Sequence, residues 1–99
     1  MMSLPDLQIG PHDTYGSLRN LAERLGVNVR SEIIREDGLC GYYESWNNMI
    51  VINRSMTYRR KRCTLVHELV HWKYGDFFHR SVIDTRLENR AKRETAQLL

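Results

Sequence analysis

Cysteine, proline and glycine are all scarce in this chain of 99 residues, at two, two and six copies. So little glycine and proline excludes a collagen-like or Pro/Gly-rich disordered chain. The two cysteines, Cys40 and Cys63, have no Cys-x-x-Cys partner, so neither a disulfide framework nor a zinc ribbon is expected, and both read as reduced, partly buried thiols. Long apolar runs are absent too. The longest, Met49-Ile50-Val51-Ile52, falls far short of the ~18–20 residues of a membrane span. The opening Met1-Met2-Ser3-Leu4-Pro5-Asp6 lacks the basic and then apolar pattern of an export signal, so a cytoplasmic location is expected. Charge of one sign is in short supply as well: 15 Lys and Arg against 12 Asp and Glu give a net +3, too little to specify nucleic acid without a clustered patch.

What is present is an ordinary globular composition, 41% hydrophobic and 27% charged, of a size that fits one domain. Residues 1–12, broken by Pro5, Gly10 and Pro11, read as a weakly ordered segment before a domain of residues 13–99. Tyr15, Leu18, Leu21, Ala22 and Leu25 recur at helical spacing behind an N-cap at Asp13 or Thr14, and Gly26 stands where the helix should end. Val27, Val29 and Ile33-Ile34 predict a strand entering a hairpin at Asp37-Gly38, with Leu39 to Ser45 as its second strand. A turn at Trp46-Asn47-Asn48 then leads to a third strand, Met49 to Asn53. Cys63, Leu65, Val66, Leu69, Val70, Trp72 and Tyr74 cover most of a helix circumference, predicting a central buried helix that stops at Gly75-Asp76. A last helix is expected from Asp84 or Thr85 to the end, with Leu87, Ala91, Thr95, Leu98 and Leu99 inward and Arg86, Arg90, Lys92 and Arg93 outward. The fold expected is α+β, a small three-stranded antiparallel sheet packed against the central helix with helices at its flanks.

That central helix carries His67-Glu68-Leu69-Val70-His71. Two imidazoles four positions apart share one face of a helix, one turn apart, the separation at which both bind a single Zn²⁺. Glu68, about 100° round the helix, is placed beside such a metal as a general base. These three polar groups interrupt an apolar helix, where ionisable side chains are costly unless paired or bound to metal. Catalytic zinc takes three protein ligands, and Asp76, His79, Asp84 and Glu88 follow the second histidine. The pattern H-E-x-x-H-x-x-G-x-x-H fails on register, since Gly75 and His79 are out of step with it. Glu88 is favoured because it shares an apolar stripe with Ala91, Thr95 and Leu98. Asp84 is better suited to capping the helix. Cys63 forms a row with His67 and His71 but lies too far along the axis to join a tetrahedron, so core packing is expected of it.

Beyond these residues the chain resembles the ImmA/IrrE-type metallopeptidases of bacteria, phages and mobile elements. The resemblance runs through Leu21-Ala22-Glu23-Arg24-Leu25-Gly26-Val27, Gly41-Tyr42-Tyr43, Ile50-Val51-Ile52-Asn53, Arg62 to His71, and Glu88-Asn89-Arg90-Ala91 with Leu98-Leu99. It implies a zinc peptidase with His67, His71 and Glu88 as ligands and Glu68 as base, acting on a helix-turn-helix repressor to relieve repression. Cys63 stands where relatives often have an aromatic and Val70 where they often have glycine, and relatives generally continue past the last helix. Two other readings compete. One is a zinc-stabilised protein that binds a repressor without cutting it. The other is a DNA-binding helix-turn-helix over Leu18 to Ser31 with a recognition helix at 29–37, whose Glu32, Glu36 and Asp37 make a poor surface for phosphates. Neither membrane association nor direct nucleic-acid binding is expected. Arg59-Arg60-Lys61-Arg62, the one dense basic cluster, reads either as a solvated helical turn or as a docking patch for an acidic partner.

Overall fold

Thr14 starts the first helix by a reciprocal cap. Its hydroxyl accepts from the Ser17 amide at 3.1 Å, and the Ser17 hydroxyl accepts from the Thr14 amide at 2.9 Å, satisfying two donors that the helix end leaves open. In the computed structural model, which describes residues 7–35, 38–76 and 85–99, this helix is α1 (Tyr15–Arg24), and Gly26 closes it at φ +81°. Tyr15, Leu18 and Ala22 form its buried face. Leu7 is buried in the same core and Ile9 packs against it. Arg62 holds this stretch in place by donating to the carbonyls of Pro11 and Asp13.

Three strands follow: β1 (Asn28–Glu32), β2 (Gly41–Glu44) and β3 (Met49–Asn53). Their order is β1-β3-β2, with β1 parallel and β2 antiparallel to β3, so the sheet is mixed, and the expected β1–β2 hairpin is replaced by a crossing to the opposite edge. Two asparagines account for the difference. At one end of β3, Asn48 in the left-handed region accepts at its carbonyl from the Asn28 amide (3.0 Å), and its side-chain amide donates to the Gly26 carbonyl (2.6 Å). The start of β1 is thereby fixed beside the start of β3. At the other end the buried Asn53 donates to the carbonyls of Ile34 (3.3 Å) and Leu39 (3.1 Å), tying together the two ends of the stretch that carries Gly38 past β3. Gly38 does turn, at φ +75°, but the turn belongs to this crossing. The central place goes to β3 because Ile50 to Asn53 are buried in succession, the pattern of a strand covered on both faces.

The strand at 28–32 also removes the helix-turn-helix reading, which needs a recognition helix there. The fold is α+β, as the spacing predicts. Helix α2 (Tyr58–Tyr74), capped by Thr57, buries Leu65, Val66, Leu69 and Val70 against the sheet and α1. Its first two turns emerge from the core, and with them Cys63, which is exposed and fills no core site. Helix α3 (Thr85–Leu98) packs on α2 through the buried Ala91, with Leu98 and Leu99 against the core. Arg86, Lys92 and Arg93 point outward, whereas Arg90 turns toward α2 and reaches Asp76. Among the described residues, no helix is long and apolar enough to cross a membrane.

Candidate metal centre

His67 and His71 sit one turn apart on α2, and their imidazoles meet edge to face with ring centres 4.8 Å apart. Glu88, in the first turn of α3, completes the group. Its Oε2 lies 3.1 Å from His67 Nε2 and its Oε1 lies 2.9 Å from His71 Nε2, while the two Nε2 atoms are 3.2 Å apart. Of the carboxylates and histidine weighed as a third ligand, Glu88 is the one placed on both imidazoles; His79 and Asp84 lie outside the described residues.

Asp76 has a different task. Gly75, at φ +65°, ends α2 in a left-handed turn, and the Asp76 amide donates back to the His71 carbonyl at 2.9 Å. The turn directs the buried Asp76 carboxylate onto His71, Oδ2 accepting at 2.9 Å from Nδ1–H. Its other oxygen accepts from Arg90, whose guanidinium stacks 3.8 Å from the centre of the Tyr74 ring. From the sequence, Asp76 reads only as a candidate ligand and Arg90 as an outward residue of the last helix. The signal that would have found Asp76 is the glycine stop itself, which turns the backbone just after His71.

In the neutral imidazole, a proton held on His71 Nδ1 by Asp76 makes Nε2 the acceptor, with a lone pair directed at Glu88. That lone pair faces a carboxylate oxygen at 2.9 Å and a second imidazole nitrogen at 3.2 Å. Acceptors gathered so closely repel unless a proton or a cation lies among them. The spacing fits a metal: a tetrahedral ion with 2.0–2.1 Å bonds holds its ligand atoms about 3.3–3.4 Å apart, so small outward shifts seat it. The electrostatics agree. Hydrogen bonds with His67 and His71 hold the Glu88 carboxyl far below its ordinary range. Burial works to lower His71, but its bonds to Glu88 and Asp76 outweigh burial and raise it. Glu88 and His71 therefore both favour positive charge between them.

Glu68 projects from the adjoining face of α2 and is 8% exposed. Burial lifts its carboxyl to about 7, against the pull of the His71 and His67 imidazoles and with the help of Glu88. A carboxyl so poised both takes and returns protons near neutrality. An open groove of about 750 Å³ between α1 and β1 shares no residue with this cluster and is lined by no His or Cys, so the donor set marks the candidate site.

No curated protein matches the chain. The family model for the IrrE N-terminal-like domain, Peptidase M78, matches residues 22–97, a span that contains His67, Glu68, His71, Asp76 and Glu88. With three quarters of its length and the whole donor cluster inside that match, the chain belongs to the M78 peptidase family.

Proposed function

We propose that the protein is a zinc-dependent metallo-endopeptidase whose substrate is a helix-turn-helix transcriptional repressor in the cytoplasm. The observation that carries the hydrolytic part is the convergence of His67 Nε2, His71 Nε2 and a Glu88 oxygen on one point, beside a buried carboxyl lifted to about 7. Two imidazoles and one carboxylate are the donor set of a zinc peptidase, with a fourth position left for water or substrate. The repressor rests on the resemblance of the sequence to the ImmA/IrrE-type enzymes.

His67, His71 and Glu88 would hold the ion, with Asp76 fixing the His71 tautomer. When bound, Zn²⁺ supplies Lewis acidity that polarises the scissile carbonyl and lowers the pKa of water. Glu68 takes a proton from the attacking water and gives it to the departing amine nitrogen, so the same carboxyl serves twice in a turnover.

The test combines metal content with cleavage of a purified helix-turn-helix repressor, chosen from any such gene found next to this one. Wild-type protein should carry one zinc and cut that repressor. Glu68→Gln should keep the zinc and lose cleavage by at least about 100-fold, the usual contribution of a general base. Near wild-type cleavage by Glu68→Gln would remove the base from the mechanism, and zinc-loaded protein that holds the repressor without cutting it would replace catalysis by antagonism.

A further inference from the structure

The basic cluster at the start of α2 opposes the field of its own helix. The first turn contains no acidic residue, yet Arg59, Arg60, Lys61 and Arg62 follow in succession where the helix dipole is positive. Cations in that first turn are unfavourable to the helix. Arg62 has a structural role on the carbonyls of Pro11 and Asp13, and the Lys61 ammonium lies 5.8 Å from the Tyr58 ring centre. Among the described residues, Arg59 and Arg60 are exposed and pair with no carboxylate that would offset their cost.

Their position on the helix gives them a use. At about 100° per residue, Arg60 precedes His67 by seven residues and returns to within about 20° of it, so both occupy one stripe. Cys63 lies between them on that stripe and His71 continues it. Exposure falls along it in order: Arg60 and Cys63 exposed, His67 intermediate, His71 buried. The stripe is thus open at its amino-terminal end and closed by α3 at the metal end. Arg60 stands about 10 Å from His67 along the axis, the span of about three residues of extended peptide.

Resting on the peptidase reading above, we infer that Arg60, assisted by Arg59 on the adjoining face of the helix, forms a specificity subsite that selects an acidic side chain on the protein substrate, about three to four residues from the bond that is cut. A planar guanidinium pairs with a carboxylate through two parallel hydrogen bonds, which fixes position as well as sign. The contact is made at the rim of the site, where solvent moderates it, so it tunes selection and contributes little to the chemical step.

The experiment measures cleavage by the zinc-loaded protein of a quenched peptide library in which Asp, Lys or Ala is fixed at each position around the cut. Wild type should favour Asp over Lys about 3- to 10-fold at one position three to four residues away, mainly through KM. Arg60→Glu, and more strongly the Arg59→Glu, Arg60→Glu pair, should reverse the preference at that position while retaining zinc. Arg93→Glu, the same charge change on the outer face of α3, should leave it as in wild type. Cleavage with equal charge preference in wild type and Arg60→Glu overturns the subsite and leaves the peptidase reading standing. Failure of wild type to cut any member of the library overturns both. Salt-sensitive binding of a DNA duplex that is lost in the pair variant, with no charge preference in cleavage, assigns these arginines to phosphate and overturns the subsite.

Discussion

Asp76 shows how much one side chain next to the candidate donor cluster governs. It grips His71 through Nδ1 and is itself gripped by Arg90, so the imidazole is held in one orientation with its other nitrogen aimed at Glu88. Asp76→Ala should weaken zinc affinity about 10- to 100-fold, the usual effect of removing the partner of a ligating histidine. Glu88→Ala, which deletes a donor, should weaken it more. Competition with a chelator measures both, and equal affinity in wild type and Asp76→Ala would show that His71 is oriented without it. The residues of this site differ in how far they can be read from sequence. His67, Glu68 and His71 are legible because helical geometry alone brings them together. Glu88 is legible more indirectly, as a carboxylate on an apolar stripe that needs a cation. Asp76 and Arg90 are not, because their roles depend on the turn at Gly75 and on the packing of α3 against Tyr74, neither of which leaves a periodic trace.

At the level of elements, periodicity carries the helices and most of the strand positions, and fails on which strands are neighbours. Met49 to Asn53 contains the information in part, since successive buried residues mark a central strand, but the crossing from one edge to the other is directed by Asn48 and Asn53, each making bonds that no pattern announces. Where β2 begins, it approaches α2 so closely that only glycine fits. A Cβ on Gly41 would lie 2.6 Å from the Val51 carbonyl oxygen and 2.9 Å from the Thr64 methyl, one on the neighbouring strand and the other one turn before His67. Gly41→Ala should therefore destabilise the fold by about 1–3 kcal/mol, the range for overpacking. Urea denaturation gives the value, and a change below half a kcal/mol would mean that β2 moves away freely.

Across the whole molecule the metal would join two helices that the chain separates, His67 and His71 on α2 and Glu88 on α3. Zinc should therefore stabilise the fold itself: at a free concentration a thousand times Kd the gain is about 4 kcal/mol, or roughly 15–30 °C in Tm for a domain of this size. Thermal melts with zinc and with a chelator test this, and identical melts would show that the cluster holds no ion. The mixed sheet bears on the order in which these parts assemble. Strands β2 and β3 meet across a single 3-10 turn, Ser45–Asn47, whereas β1 must find β3 across about 20 residues of intervening chain before its parallel register closes. Loop-closure entropy makes the nearer pairing the earlier one. On that ground the β2–β3 hairpin is expected to nucleate folding, with β1 docking after the rate-limiting barrier. Tyr43→Ala should slow refolding, while Val29→Ala should chiefly speed unfolding, a division that stopped-flow measurements read directly.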